Sequence, residues 1–170
     1  MCSVFGILEI KAGAHDLREK AIQLSGLMRH RGPDWSGVYV GEHAVLAHER
    51  LAIVDVKTGA QPLYGNDTVL AVNGEIYNHQ TLRGELDTDF DFKTESDCEV
   101  ILPLYEEQGA AFIDRLRGMF AFVLYDARAN RYLIARDHQG IIPLYWGRDE
   151  KGQLYVASEM KALVPICKTL

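Results

Sequence analysis

The chain has 170 residues, 48% of them hydrophobic and 25% charged, with a formal net charge of −6. These values fit one soluble globular domain with a single core, and the negative charge gives no electrostatic basis for binding nucleic acid or an anionic membrane. The longest uninterrupted apolar run, Met119 to Tyr125, is too short to span a bilayer, and the N-terminus lacks the basic and then apolar pattern of a secretion signal. A cytoplasmic location is therefore expected.

Cys2 directly follows the initiator Met1. Methionine is normally removed when the next side chain is small, which would leave a cysteine that carries its own free α-amine. An α-amine titrates near ~7.7 to 8.0 and a thiol near ~8.5, so at neutral pH the amine can accept the thiol proton. Cys2 is therefore a candidate N-terminal nucleophile, although a small residue at position 2 is more often incidental when it is taken alone.

The other cysteines and the histidines predict no metal site. Cys98 and Cys167 have no CxxC spacing, so neither a disulfide framework nor a zinc site is indicated, and both thiols are expected to be buried and inert. The six histidines show neither HxxxH nor HExxH spacing.

Apolar patterning predicts four elements in the first half of the chain. Ser3 to Ile10 is predicted to be a strand, and Asp16 to Met28 an amphipathic helix. Ala44 to Val54 and Thr68 to Val72 are predicted strands, separated at 57–67 by a segment rich in turn-forming residues.

A helix is predicted from about Ser96 to Gln108. Ser96 and Glu99 have the spacing of a capping box ahead of an apolar helix face. Asp97 then lies in the first turn, where the helix dipole favours a carboxylate.

Two hairpins are predicted towards the C-terminus. The first joins strands at 118–126 and 131–137, and the second covers 143–158 with its turn near 149–152. Segment 118–126, GMFAFVLYD, is apolar on both faces. Such a strand needs cover on both sides, which predicts sheet packed on sheet with helices outside. The residues alone thus predict one α+β domain.

Three polar groups near the ends of predicted elements are candidate binding groups. Asn73 and Gly74 follow a predicted strand and offer an amide and a backbone N–H, the paired donors that an acyl-transfer oxyanion needs; a plain Asn-Gly turn is the alternative, and the pair by itself favours it. Arg50 is suited to bidentate binding of a carboxylate, but a salt bridge with Glu49 or another acid is the commoner explanation. Asp97 can pair with an ammonium group or simply cap the helix.

These residues belong to a longer set of motifs. The motifs are MCSVFG at 1–6, MRHRGPDWSG at 28–37, AHERLAIVD at 47–55, GAQPLY at 59–64, VNGEIYN at 72–78, SDCEVI at 96–101, GMFAFVLYD at 118–126, RDHQGIIPLYWG at 136–147 and ASEMKAL at 157–163. With them the chain resembles the N-terminal glutaminase domain of the class II glutamine amidotransferases, and most closely that of the glutamine-dependent asparagine synthetases. Relatives that make amino sugars or purine precursors share the cysteine and the NG and SD pairs, but differ around them.

The resemblance implies a fold and a reaction. The fold is the four-layer αββα sandwich of N-terminal nucleophile hydrolases. Cys2 attacks the side-chain amide of glutamine, with its α-amine as base and then as acid for the departing ammonia, and water hydrolyses the resulting thioester to glutamate. The side chain of Asn73 and the backbone N–H of Gly74 hold the oxyanion.

The resemblance also implies how glutamine is bound. Arg50 binds its α-carboxylate, and Asp97 with Glu75 binds its α-ammonium. Backbone groups at Ile53 and Val54 line the same pocket. His30 and Arg31 are placed near that pocket, where a structural role in the loop is at least as natural.

The chain lacks the second half of a complete asparagine synthetase. That half is an ATP-pyrophosphatase domain with an SGG-type phosphate loop, and these 170 residues contain no such sequence and no GxxxxGK or GxGxxG. We expect a single glutaminase domain over 1–170, either excised or naturally truncated, with no cofactor of its own, since ATP and magnesium would belong to the missing domain. Its expected partners are glutamine, and in the full-length family the synthetase domain or a homodimer partner, with no nucleic acid and no membrane.

Two other functions remain open. One is the glutaminase module of another class II amidotransferase, and the other is a non-catalytic domain that keeps the fold and binds glutamine. A degenerate domain would be expected to lose Cys2, Asn73 or Arg50, and all three are present.

Overall fold

The computed structural model describes residues 1–11, 13–53, 55 and 58–170. Val54, a predicted glutamine-binding residue and the predicted end of a strand, lies outside these residues, and so does part of the turn-rich segment at 57–67.

Two antiparallel sheets form the body of the described chain. The first has the order β2 (Trp35–Val40), β3 (Val45–Arg50), β1 (Ser3–Leu8), β9 (Leu154–Ala157) and β8 (Tyr145–Arg148). The second has the order β4 (Leu63–Tyr64), β5 (Thr68–Ile76), β6 (Gly118–Asp126) and β7 (Arg131–Arg136). The helices are α1 (Arg18–Gly26), α2 (His79–Gly84) and α3 (Ile101–Gln108), with short 3₁₀ turns at Ala14–Leu17, Asp97–Val100, Gly109–Arg115 and Met160–Ala162. The expected α+β class is confirmed.

Three apolar clusters show how these elements pack. One joins the facing sides of the two sheets through residues such as Leu46 and Val123. A second lies between α1 and the other side of the first sheet, and a third between the second sheet and helices α2 and α3. Segment 118–126 contributes to two of them, since Phe122 packs towards the helices and Val123 towards the first sheet. The prediction that both of its faces are covered is confirmed.

Strand β5 extends further than predicted. We expected it to end at Val72, but it continues to Ile76, and Asn73 and Gly74 pair with Ala121 and Phe120 of β6. The interpretation of Asn73 and Gly74 as a turn is therefore wrong, because pairing with a distant strand overrides the local turn preference.

Other boundaries differ for local reasons. Strand β3 ends at Arg50 rather than continuing through Ile53, and edge strand β2 has too few buried apolar side chains to give a period-two signal. The predicted helix begins as a 3₁₀ turn, and Ser96 accepts a hydrogen bond from the Cys98 backbone N–H at 3.3 Å. The capping box is incomplete, because the Glu99 carboxylate accepts from the backbone N–H groups at 93 and 94 instead.

No helix in the part of the chain that the structure describes is long and apolar enough to cross a bilayer.

Candidate active site

A pocket lies where β1 begins and β3 ends, beside the second half of β5. It joins residues of the first sheet to residues of the second and to the start of the helical segment at 97–108. Every predicted site residue that the structure describes lines it: Cys2, Arg50, Ile53, Asn73, Gly74, Glu75 and Asp97. Residues more than 90 positions apart in the chain are thus brought to one place.

The Cys2 side chain is half-buried at the start of β1. Its Sγ lies 3.3 Å from the backbone N–H of Leu51 and 3.5 Å from the Leu51 carbonyl oxygen. Arg31 Nε donates to the Cys2 backbone carbonyl at 3.0 Å, which holds the main chain beside the thiol. Burial raises the pKa of the Cys2 thiol above its ordinary value. The thiol is therefore protonated at neutral pH and needs a base to act as a nucleophile.

Met1 also lines the pocket, and 51% of its surface is exposed. While Met1 is attached, the nitrogen of Cys2 is part of a peptide bond and cannot accept a proton. Removal of Met1 would place a free amine in the lining of the same pocket.

Asn73 presents a buried donor to the space between the sheets. Its side chain lies on the face of β5 that also carries Val69 and Ala71, which belong to the core between the sheets. Asn73 is only 2% exposed, and its Nδ2 has no hydrogen-bond partner among the described residues. An unsatisfied buried donor costs about 1 to 3 kcal/mol, so such a group calls for an explanation.

Gly74 is required by close backbone packing. Its φ is +147°, and a Cβ at this position would lie 2.1 Å from the carbonyl oxygen of Met119 on β6. The Val72 N–H bonds to the Gln61 side chain and so points away from β6. In an antiparallel ladder every second residue points its backbone groups to the same side, so the Gly74 N–H also points away from β6. That side is the pocket, so Asn73 and Gly74 both supply N–H donors to it.

Arg50 ends β3 and donates to the backbone carbonyl of Asp55. The preceding residue, Glu49, lies on the opposite face of β3, where it accepts from Ser25 Oγ at 2.9 Å and pairs with Arg29 at 3.4 Å. The proposed salt bridge between Arg50 and Glu49 is therefore wrong. Arg50 contributes a guanidinium to the pocket instead.

Asp97 is buried, and its carboxylate bonds to the backbone of β5 and to the Cys98 thiol rather than to the backbone of its own helix. Its Oδ2 accepts from the Ile76 backbone N–H at 2.6 Å, while Ser96 acts as the N-cap. The interpretation of Asp97 as a capping carboxylate is wrong. With Glu75, which is half-buried in the same lining, it forms an acidic side of the pocket opposite in charge to Arg50.

Several residues of the lining were not predicted. They include Leu51, Gly59, Gln61, Ser96, Cys98, Met119 and Ile142. GAQPLY at 59–64 was recognised as a motif but given no role, and it supplies both Gly59 and Gln61. A Cβ on Gly59 would lie 2.8 Å from an Arg50 guanidinium nitrogen, so the glycine leaves room for Arg50.

The other candidate residues lie outside the pocket lining or show no functional arrangement among the described residues. His30 and Arg31 both bond to Glu159, at 3.1 and 3.0 Å, and they stand outside the pocket lining. Cys98 is buried as expected, and burial raises its pKa well above the ordinary value. Cys167 is half-buried rather than buried, which corrects the expectation for that thiol. Within the described ranges, no group of three or more His, Cys, Asp or Glu side chains is arranged to hold a metal ion.

The chain belongs to the glutamine amidotransferase domain family, which matches it over residues 1–170. It is 66% identical over 172 residues to asparagine synthetase B (glutamine-hydrolysing) of Escherichia coli, covering 100% of this chain and 31% of that relative. It is 50% identical over 171 residues to a probable asparagine synthetase (glutamine-hydrolysing) of Dictyostelium discoideum, with 98% and 31% covered. It is 52% identical over 172 residues to asparagine synthetase (glutamine-hydrolysing) 3 of Arabidopsis thaliana, with 99% and 29% covered. The chain therefore spans less than a third of the length of these relatives.

Proposed function

We propose that this chain hydrolyses glutamine to glutamate and ammonia through a thioester on Cys2, as the ammonia-supplying module of asparagine synthesis. One observation carries the proposal: a buried amide donor on Asn73, without a partner among the described residues, lines the same pocket as the Cys2 thiol. Such a donor is costly in the ground state and becomes useful when negative charge develops beside it. The printed names of the relatives, glutamine-hydrolysing asparagine synthetases, support the choice of glutamine and of asparagine synthesis.

In this mechanism, removal of Met1 frees the α-amine of Cys2. The amine accepts the thiol proton, and Sγ attacks the side-chain carbonyl carbon of glutamine. The oxyanion accepts hydrogen bonds from Asn73 Nδ2 and Gly74 N–H, each donor contributing about 10² to 10³ in rate. The tetrahedral intermediate then collapses. The α-ammonium of Cys2 protonates the leaving nitrogen, which departs as ammonia. The amine then takes a proton from water as the water attacks the thioester carbonyl carbon. The C–S bond breaks, glutamate is released, and Sγ takes its proton back from the ammonium of Cys2.

The charges of the pocket match the main-chain groups of glutamine. Arg50 binds the α-carboxylate, and Asp97 with Glu75 binds the α-ammonium. Backbone groups at Ile53 and Val54 complete the binding site in this proposal. Opposite charges on two sides of one pocket select for a zwitterionic amino acid over an uncharged amide.

The proposal includes the four-layer αββα sandwich of N-terminal nucleophile hydrolases. Its support is the packing of α1 on the outer side of the first sheet and of α2 and α3 on the outer side of the second. Residues 1–170 then form a single glutaminase domain without a cofactor, and ATP and magnesium belong to a separate ATP-pyrophosphatase domain. The proposed partners are such a synthetase domain or a homodimer partner.

The test uses the chain freed of Met1, as verified by intact mass. We expect glutamate and ammonia to form from glutamine in equal amounts, and a glutamine-like alkylating analogue to add once, at Cys2. The matched control is Cys2→Ala, which keeps the α-amine and should bind glutamine without turning it over. If the Met1-free chain without substitutions bound glutamine tightly but did not hydrolyse it, the chain would instead be a non-catalytic glutamine-binding domain.

A further inference from the structure

The proposed oxyanion donor, the backbone N–H of Gly74, lies on the edge of β5 that faces away from β6. Alternate peptide groups of an antiparallel strand point to the same side, so Leu70, Val72, Gly74 and Ile76 all present their N–H and C=O groups away from β6. Strand β4 pairs with this edge only at Leu70 and Val69. Beyond Leu70 no strand of the described chain pairs with this edge, and side chains form hydrogen bonds to its backbone instead.

The partners on this edge are specific. Val72 N–H donates to Gln61 Oε1 at 2.8 Å, and the Val72 carbonyl accepts from His48 Nε2 at 2.9 Å. Ile76 N–H donates to Asp97 at 2.6 Å. Side chains thus bind the backbone of Val72 before Gly74 and the backbone N–H of Ile76 after it, and the Gly74 N–H between them faces the pocket.

His48 reaches this edge from the other sheet. It lies on β3, on the same face as Leu46, which is part of the core between the sheets, and as Arg50, which lines the pocket. His48 is fully buried, and burial lowers its pKa to about 4, so the ring is neutral at physiological pH. A carbonyl can only accept, so Nε2 carries the proton. The bond therefore fastens the sheet that carries Cys2 and Arg50 to the strand that carries the oxyanion donors.

We propose that His48 is a positioning residue for the oxyanion site, acting through its hydrogen bond to the Val72 carbonyl. This carbonyl belongs to the peptide group that joins Val72 to Asn73, so fixing it fixes the direction of the Asn73 side chain. The Gln61 side chain binds the backbone N–H of Val72. The inference rests on the proposed function, because an oxyanion site has meaning only if Cys2 forms an acyl intermediate.

The geometry must be held closely for this site to work. Oxyanion donors act when they lie about 2.7 to 3.1 Å from the developing charge, and a misplacement of about 1 Å can cost about 10² in rate. The nucleophile and the donors stand on different sheets, so their separation depends on what joins the sheets. A buried hydrogen bond within one residue of Asn73 is well placed to set it.

The main test compares two amide variants that differ only in reach. His48→Gln carries an N–H donor at about the distance of Nε2 and should keep kcat for glutamine hydrolysis within about threefold, whereas the shorter His48→Asn should lose about 10- to 100-fold. KM should change little in both, because His48 lies behind the donors and not among the groups proposed to bind glutamine. Equal kcat values for the two folded variants would overturn the inference.

His43 supplies a matched control. Its Nδ1 lies 2.9 Å from the Ile10 carbonyl oxygen, the same kind of bond, and His43 is not part of the pocket lining. An asparagine amide reaches about as far as Nδ1 and could keep this bond, so the control is His43→Ala, which removes it and should leave kcat and KM unchanged. A fall in kcat equal to that of His48→Asn would mean that the loss reflects general loosening of the fold, and would overturn the inference.

A double-mutant cycle separates positioning from general structural damage. If His48 acts through Asn73, His48→Asn should cost less than about threefold in an Asn73→Ala background, because the donor it positions is already gone. The same loss in both backgrounds would contradict the inference. Nitrogen NMR of the unmodified chain must also show His48 protonated at Nε2 alone at pH 7; the Nδ1-protonated form cannot donate to Val72 and would overturn it.

The measurements separate failure of the proposed function from failure of the role of His48. An unmodified, Met1-free chain that does not hydrolyse glutamine would overturn the proposed function and this inference together. Normal hydrolysis that tolerates His48→Asn would overturn the inference alone.

Discussion

The Asp97 carboxylate accepts a hydrogen bond from the backbone N–H of Ile76 at 2.6 Å. This bond ties the start of the helical segment to the end of β5, and it brings a charged oxygen pair into the pocket that holds Cys2. Asp97 therefore has two duties that can be separated by mutation, one to the backbone of β5 and one to the proposed substrate.

Asp97→Asn should weaken glutamine binding and leave the fold intact. An amide oxygen can still accept from Ile76, but the negative charge opposite the α-ammonium is lost. A hydrogen bond to a charged group is worth about 1.5 to 3 kcal/mol, so KM should rise by about 10- to 100-fold with little change in kcat. Steady-state kinetics with a thermal melt checks this. A variant that melts far below the unmodified chain while its KM is unaltered would show that Asp97 serves only the backbone.

Asn73→Ala should lower kcat by about 10² to 10³ with little change in glutamine binding, as expected for a donor used mainly in the transition state. Thermal stability should hardly fall, because the ladder between β5 and β6 is made by the main chain and the lost amide has no partner among the described residues. Kinetics, calorimetric binding and melting of the same sample decide the point. A loss of stability with kcat preserved would favour a purely structural asparagine.

Asn73 also shows how much of the site could be predicted from the sequence. The motifs picked out residues that the structure places in one pocket, because the side-chain chemistry of Cys2, Arg50 and Asn73 is visible in short stretches of sequence. The strand that carries Asn73 was predicted too short, since an Asn-Gly pair is locally a turn signal and only pairing with Ala121 and Phe120, far along the chain, overrides it.

His48 lay beyond sequence reasoning for a related reason. It stood in a recognised motif, AHERLAIVD, but its partner is a backbone carbonyl on the other sheet. Neither periodicity nor spacing encodes a contact between two sheets. The fold class could be predicted from the doubly apolar strand at 118–126, whereas edge strand β2 could not, because its side chains are exposed or half-buried.

Gly74→Ala should be strongly destabilising. A Cβ there would lie 2.1 Å from the Met119 carbonyl oxygen and would force an alanine to a φ of +147°. We expect the free energy of unfolding to fall by at least about 2 kcal/mol, measured by urea denaturation. Gly84→Ala is the matched control: a Cβ at Gly84, in helix α2, meets nothing within 4 Å, so that variant should be unchanged or slightly more stable. Equal stabilities of the two variants would contradict the tight packing at Gly74.

The buried neutral His48 should make stability depend on pH. Its pKa is about 4 in the folded chain and about 6.5 when unfolded, so between these values the unfolded chain binds more protons. The free energy of unfolding should therefore fall as the pH drops from about 6.5 to about 4, with a contribution from His48 on the order of 3 kcal/mol. Urea denaturation of the unmodified chain and of His48→Gln at several pH values isolates this contribution. Parallel curves would show that His48 titrates normally when folded.

The central claim is that Cys2, once freed of Met1, forms a thioester with the side-chain acyl group of glutamine. Hydroxylamine tests it directly, because it attacks a thioester to give a hydroxamate and restores the thiol. The Met1-free chain, incubated with glutamine and hydroxylamine, should form glutamyl hydroxamate at the expense of glutamate, while Cys2→Ala and the chain that retains Met1 should form none. Hydroxamate production by Cys2→Ala, or by the Met1-bearing chain at the rate of the trimmed one, would contradict the account.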